Sequence, residues 1–204
     1  VGDAQIDAAA AEALRPFGVG SAPEEERAQE PETAENPYTV HQDLQRSMNE
    51  LVGIIRREEE MSEALERLAE LRERARRAKV EGHRQFNPGW HLALDLRNML
   101  LVSECVARAA LNRTESRGGH TRDDHPEMDR EWRRANLVCT LAATAPEPAG
   151  AEAGAEPAAE AGAGRAGRIA LRRREMPPIR KDLLELFEKE ELIKYLTDEE
   201  LTSE

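Results

Sequence analysis

A chain of 204 residues has room for one or two domains, but 34% charged and only 3% aromatic side chains are poor material for a large core. Its 29 basic and 41 acidic groups leave a formal charge of −12, which argues against a nucleic-acid or anionic-membrane binder that relies on net charge. No apolar run approaches the ~20 residues of a membrane span, and Cys105 and Cys139 lack metal-type or redox-motif spacing, so they read as two reduced thiols.

The chain opens on Val1 with an acidic helical pattern and no secretory signal, and reads as a trimmed piece whose beginning lies elsewhere. Residues 3–14 have strong helix propensity but only Ile6 and Leu14 to bury, so this helix needs a host. Residues 18–35, with two glycines, two prolines and an excess of glutamate, have the composition of an acidic linker. Asn36-Pro37 then starts a new element. Val40, Leu44, Met48, Leu51, Val52 and Ile55 recur at spacings of three and four, predicting an amphipathic helix over 39–58. A second helix carries Met61, Leu65, Leu68, Leu71, Ala75 and Ala78 on its inner side and a solvated face of Arg and Glu. Phe86 and Trp90 are the bulky groups able to plug the end of the bundle before the third helix.

Asn87 as N-cap and Pro88 at the first helical position start that third helix, whose pattern runs to Arg113. Leu92, Leu96, Met99, Leu100, Val106, Ala107 and Ala110 share a broad face, and Arg97, Glu104, Arg108 and Asn112 line a narrow polar stripe. Leu101, Val102 and Cys105 fall outside both, so this helix requires more than one covering layer. Three rods of matched length with short connections predict a mainly α fold: an antiparallel three-helix bundle over 36–125.

Beyond it, residues 114–124 read TESRGGHTRDD. Gly118-Gly119 breaks the helix, and Arg117, His120 and Arg122 supply donors. Two readings stand side by side: a grip on a carboxylate, phosphate or cofactor, or a polar helix stop whose arginines pair with Glu115, Asp123 and Asp124. A metal reading of His120, Asp123, Asp124 and His125 lacks a recognised ligand spacing, and His83 with His91 lacks a third ligand.

Residues 126–204 read as an appendage. Trp132 and Leu137-Val138-Cys139-Thr140-Leu141 suit a strand, and Arg168-Ile169-Ala170-Leu171-Arg172 alternates with period two, giving a candidate β-hairpin. Between them, 142–167 is a low-complexity Ala/Gly/Pro/Glu loop. The Arg172-Arg173-Arg174 run suits contact with an acidic protein surface. Asp182 and Glu185 start a C-terminal helix carrying Leu183, Leu186, Phe187 and Tyr195, which either folds back or docks on a partner.

Three stretches carry a family resemblance: ENPYTVHQDLQRSMNELVGIIRREEEM (35–61), FNPGWHLALDLRNMLLVSECVARAALNRTESRGGHTRDDHPEMD (86–129) and MPPIRKDLLELFEKEELIKYL (176–196). They resemble the C-terminal part of succinate dehydrogenase/fumarate reductase flavoprotein subunits. The most specific piece is Glu115-Ser116-Arg117-Gly118 with His120 and Arg122, which is similar to that family's ESRG-x-H-x-R signature. Val52-Gly53-Ile54-Ile55-Arg56 resembles its first-helix motif.

The resemblance implies a larger enzyme in which an FAD-binding domain, a capping domain and this helical domain form one subunit. Such an enzyme passes electrons through an iron–sulfur subunit to a membrane anchor subunit, at the cytoplasmic inner face of the cell membrane. Residues 1–17 would then be the tail end of the flavin domain, and Glu115, Ser116, Arg117, Gly118, His120 and Arg122 would dock the loop on that domain. No Gly-x-Gly-x-x-Gly follows a strand here, so FAD belongs to the parent enzyme and this fragment alone is expected neither to bind it nor to be catalytic. L-aspartate oxidase and adenylylsulfate reductase share related helical domains, and a stand-alone helical interaction module is the rival from another class.

Overall fold

A computed structural model describes residues 2–18, 34–142, 168–177, 180–192 and 196. Helix α1 (Asp3–Leu14) runs into a short 3-10 turn (Arg15–Phe17). The bundle follows as α2 (Pro37–Leu51), α3 (Glu58–Arg76) and α4 (Pro88–Asn112). As the periodicity predicts, these three helices pack together, around Val40, Leu44, Leu68, Leu71, Leu96 and Leu100. Both helix starts use the same chemistry. Asn36 Oδ1 accepts from Tyr38 N at 2.9 Å, Asn87 Oδ1 accepts from Trp90 N at 3.0 Å, and each is followed by proline, whose missing N–H costs nothing there.

The first bundle helix is shorter than its pattern predicts. It stops at Leu51 rather than 58, because the chain turns at Val52 and Gly53 to bury Val52 and then runs as strand β1 (Ile55–Arg56). A Cβ on Gly53 would sit 2.8 Å from the Asn49 carbonyl oxygen, closer than side-chain carbons come, so the turn requires glycine. Strand β1 pairs in parallel with β2 (Thr121–Arg122), Ile55 opposite Thr121 and Arg56 opposite Arg122. Ile54 and Ile55 consequently face outward instead of completing the helix face.

Helix α4 also presents a different phase. Its buried line is Ala93, Leu96, Leu100, Glu104, Ala107 and Ala110, so Glu104 leaves the polar stripe for the core while Val106, expected inside, is exposed. Small residues decide this, since three alanines let the backbone approach its neighbours closely. Glu104 is accommodated because Arg72 of α3 and Arg108 of α4 both bond its carboxylate, the latter at 2.7 Å. Burial alone would push the Glu104 carboxyl up, but the hydrogen bonds from Arg108 and Arg72 outweigh it and hold the group ionised. On the opposite side Val102 is 60% exposed, as the two-sided apolar pattern requires of a helix only partly covered by its own chain.

At the other end of α4, Trp90 alone does the plugging. It packs edge-on against Phe17 at 5.3 Å and donates its indole N–H to the Ala13 carbonyl at 2.7 Å. Phe86 was expected beside it but is 99% exposed, because positive φ at this residue turns its side chain away. Pro16 is buried and its carbonyl accepts from Val80 N, so the 3-10 turn is seated on the bundle while α1 itself buries nothing. Glu35, placed by composition in the linker, is bound to the bundle: it bridges Ala78 in parallel fashion and accepts from Arg74 Nε at 2.9 Å. Most of the 18–35 linker lies outside the described residues.

A short helix α5 (Arg130–Arg133) holds Trp132, which the pattern had placed with a strand. It leads into the antiparallel hairpin β3 (Ala135–Ala142) and β4 (Arg168–Glu175), with Cys139 opposite Leu171. The low-complexity loop between them lies outside the described residues. The expected C-terminal helix is instead two single turns, α6 (Lys181–Leu184) and α7 (Lys189–Leu192). Leu183, Leu186 and Phe187 are exposed, whereas Leu196 is buried and its N–H donates to the Leu192 carbonyl at 2.8 Å. Tyr195 lies outside the described residues.

Replacing Leu100 by Ala should lower stability by about 3 kcal/mol in urea unfolding, through lost burial and the cavity left. Val102→Ala should stay within about 0.5 kcal/mol in this chain, because its side chain touches solvent.

Candidate functional site

The segment after α4 folds into a corner that ties three pieces of the chain together. Ser116 fixes its base: its backbone N–H donates to the Glu127 carbonyl at 2.9 Å, and its hydroxyl lies 2.8 Å from both the His125 carbonyl and the Arg122 backbone N–H. Arg117 and His120 bond each other's backbone across Gly118-Gly119, forming a tight turn whose first central residue, Gly118, has φ +61°. Glycine is required there because L side chains avoid that region. These two glycines shape the turn and do not end the helix, which stops earlier, at Asn112, with Arg113 already extended.

Arg122 ends the helix. Its side chain is fully buried, and Nη1 donates to the carbonyls of Leu111 at 3.0 Å and Arg113 at 2.9 Å, with Ala110 at 3.4 Å. A helix C-terminus leaves unpaired carbonyls with partial negative charge, and a guanidinium meets both needs at once. The other edge of Arg122 makes a two-point pair with Asp124, both contacts 2.6 Å. That pair holds the Asp124 carboxyl far below the usual carboxylate range. Asp124 in turn accepts from the Glu58 backbone N–H at 2.9 Å, at the start of α3, and Asp123 accepts from Arg57 Nε at 2.9 Å.

His120 is buried between Arg56 and the helix end. Arg56 Nη1 is 2.8 Å from His120 Nδ1, and His120 Nε2 is 3.4 Å from the Arg113 carbonyl. The guanidinium is always a donor, so Nδ1 accepts and the proton of the neutral ring sits on Nε2. Burial first, and then the Arg113 charge, push the His120 pKa below its ordinary value, and the same two causes lower that of Arg56. Glu115 is fully buried and pairs with Arg113, Oε1 to Nε 3.2 Å, with Arg117 Nε at 3.6 Å.

The six sequence-predicted residues Glu115, Ser116, Arg117, Gly118, His120 and Arg122 are therefore brought together, and their arginines pair with acidic partners as a polar helix stop requires. Arg122 and His120 are spent inside the chain. Arg117, one third exposed and donating to the Trp132 carbonyl at 3.3 Å, is the donor that faces outward. Arg56 and Arg113 are equal members of the cluster that the loop alone did not reveal; the signal was the Arg closing the VGIIR motif, 64 residues from His120. The metal grouping His120, Asp123, Asp124 and His125 is not assembled, since His120 turns to Arg56 and Asp123 to Arg57. Among the described residues Glu58, Asp124 and His125 bring ligand atoms within 4.8 Å of one another, but both Asp124 oxygens already hold Arg122.

Because the folded-state pKa of His120 is depressed, its stabilising contribution is complete above the unfolded value of 6.5 and is lost as pH falls from there through the folded value. Protonation puts a second N–H against the Arg56 guanidinium. Urea midpoints measured from pH 8 to 5 should fall in the native chain and stay flatter in His120→Gln. Arg122→Lys keeps the charge but loses the planar fork, and should cost about 2–3 kcal/mol in the same assay by leaving helix-end carbonyls unpaired.

Comparison with known proteins places these features. Residues 41–152, more than half of the chain, match the family described as fumarate reductase flavoprotein C-term. The succinate dehydrogenase flavoprotein subunit of Coxiella burnetii is 42% identical over 104 residues, which is 50% of this chain and 18% of that protein. The L-aspartate oxidase of Acinetobacter baylyi is 33% identical over 96 residues, 47% of this chain and 17% of that protein. In a structure of the Mycobacterium smegmatis Sdh1 complex in the apo form, a chain superposes with TM-score 0.74 and 48% identity, covering 100% of this chain and 30% of that one. The chain thus spans less than a fifth of the length of these curated relatives, and no helix among the described residues is long and apolar enough to cross a membrane. A three-helix bundle closed by an Arg-capped ESRG-x-H-x-R corner, matched by both sequence and structure, is that of the succinate dehydrogenase/fumarate reductase flavoprotein C-terminal domain, and the chain belongs to that family.

Proposed function

We propose that this chain is the C-terminal helical portion of the flavoprotein subunit of a succinate:quinone oxidoreductase or fumarate reductase, where it braces the flavin-bearing part and takes no part in the chemistry itself. The observation that carries this is the corner. Its polar groups are largely bonded to one another; Arg117, held by Glu115 and the Trp132 carbonyl, keeps one third of its side chain exposed, and the apolar side chains of Ile54 and Ile55 are turned outward. A corner bonded largely to itself, with an outward rim and with only Glu115 Oε2 of its buried side-chain atoms lacking a partner among the described residues, suits docking to a larger body. It does not suit turnover, which requires uncommitted donors or bases.

FAD does not fit the residues present. No glycine-rich phosphate loop follows a strand, and the buried arginines are already paired. No redox step is assigned to them, and the flavin of the parent enzyme is placed on the portion upstream of this chain. On this reading the iron–sulfur and membrane-anchor subunits are further partners, and the assembly sits at the inner face of the cell membrane through them. The matches cover similar shares of this chain, but the identity to the succinate dehydrogenase subunit, 42% against 33% for L-aspartate oxidase, favours succinate/fumarate chemistry.

In the complete protein, Arg117→Ala should reduce retained flavin per subunit and succinate-dependent dye reduction together, by about threefold or more, as expected for loss of a charge-assisted contact at an interface. Flavin content and turnover equal to the parent would overturn the bracing role and favour an independent helical interaction module.

A further inference from the structure

Cys105 and Cys139 are 34 residues apart in sequence, and each is half-buried with a free thiol. Cys105 lies on α4, directly after the buried Glu104, and Cys139 lies on β3 opposite Leu171. The hairpin lays β3 against α4 so that Cys139 Sγ donates to the Cys105 carbonyl at 3.9 Å, which puts the Cys139 side chain beside Cys105. Both hairpin strands lie against α4, and Ile169 of β4 is buried. Further ties run through the Trp132 region: its indole N–H to Thr114 Oγ1 at 3.2 Å, and Arg117 to its carbonyl. Arg173 of β4 stacks on the Trp132 ring at 4.7 Å, which fastens the hairpin to α5 as well.

We infer that Cys105 and Cys139 form a modification site, a reversible disulfide that fastens the β3–β4 hairpin to α4. A Cys139 sulfur already within 3.9 Å of the Cys105 backbone approaches the Cys105 sulfur by side-chain rotation, toward the ~2.05 Å length of the bond. Cysteines that are close but unbonded in a chain otherwise without disulfides suit a redox-responsive pair better than a structural one.

The oxidant is a peroxide. One thiolate attacks a peroxide oxygen, the O–O bond breaks, and a sulfenic acid and one water result. The second thiolate attacks the sulfenic sulfur and expels hydroxide, which leaves as the second water once protonated. Two thiols lose two electrons and two protons, and one peroxide becomes two waters. Burial, and then the charge of Cys139, push the Cys105 thiol above its ordinary value, which slows its own attack on peroxide.

The test treats the full chain with a small excess of hydrogen peroxide and reads thiol alkylation, intact mass and amide exchange over β3. The expected result is loss of both alkylatable thiols, a mass lower by two hydrogens, and reversal by dithiothreitol, with exchange at residues 135–141 slowed about tenfold. Cys105→Ser and Cys139→Ser should each abolish the two-hydrogen loss while leaving the reduced far-UV spectrum unchanged. Retention of both thiols, gain of oxygen without a cross-link, cross-links only between chains, or unchanged exchange in the cross-linked form would each overturn the proposal.

Discussion

The corner depends on one buried guanidinium. Taking Arg122 out of water is costly, and it is offset only because every edge of the group meets an acceptor: the carbonyls at the end of α4 on one side and the Asp124 carboxylate on the other. The helix end needs those donors as much as the arginine needs the acceptors. Neither is stable there alone, so where α4 stops and how the following turn folds are one problem with one solution.

From that contact the order spreads outward. Asp124 reaches the first backbone amide of α3, Asp123 holds Arg57, and the parallel β1–β2 pair aligns Arg56 with Arg122. Arg56 then faces His120, whose other nitrogen returns to the Arg113 carbonyl. Two segments far apart in sequence, residues 55–58 and the continuous stretch from the end of α4 to Asp124, are closed into one polar cluster at the end of an apolar bundle. A cluster paired this extensively, with Glu115 Oε2 the exception, is rigid, and its outward rim carries the functional reading.

The bundle has a narrow core for its length. Alanines at 93, 107 and 110 bring α4 close to its neighbours at the expense of apolar area, and a glutamate occupies the middle of the buried line. Many Arg–Glu pairs decorate α3, such as Arg67 with Glu63 and Glu70, but their side chains are more than half exposed and such pairs contribute little individually. The Glu104 cluster is different because desolvation makes its pairing obligatory. The uncovered Val102 and the exposed isoleucines at 54 and 55 match a domain whose solved relative is a much longer chain.

Periodicity identified the three bundle helices and the hairpin strands, and residue chemistry the N-cap at Asn87, since these follow from side-chain spacing and local hydrogen bonding within a few residues; the cap at Asn36, ahead of the predicted helix start, emerged with the structure. Wherever the outcome rested on partners distant in sequence, it could not be read locally. Leu51 ends a helix that the apolar pattern would continue, because β1 is needed by a loop 64 residues later. Glu104 turns inward because Arg72 of another helix meets it. Phe86 turns outward on a left-handed backbone, and the C-terminal amphipathic segment is interrupted between Leu184 and Lys189. The ESRG-x-H-x-R string was visible as a cluster of donors, but whether its arginines reached outward or were consumed inside depended on the placement of the α4 carbonyls. Local chemistry determined which elements form; the competition among buried polar groups for partners, decided only in three dimensions, determined where they end and which side chains remain free to meet another body.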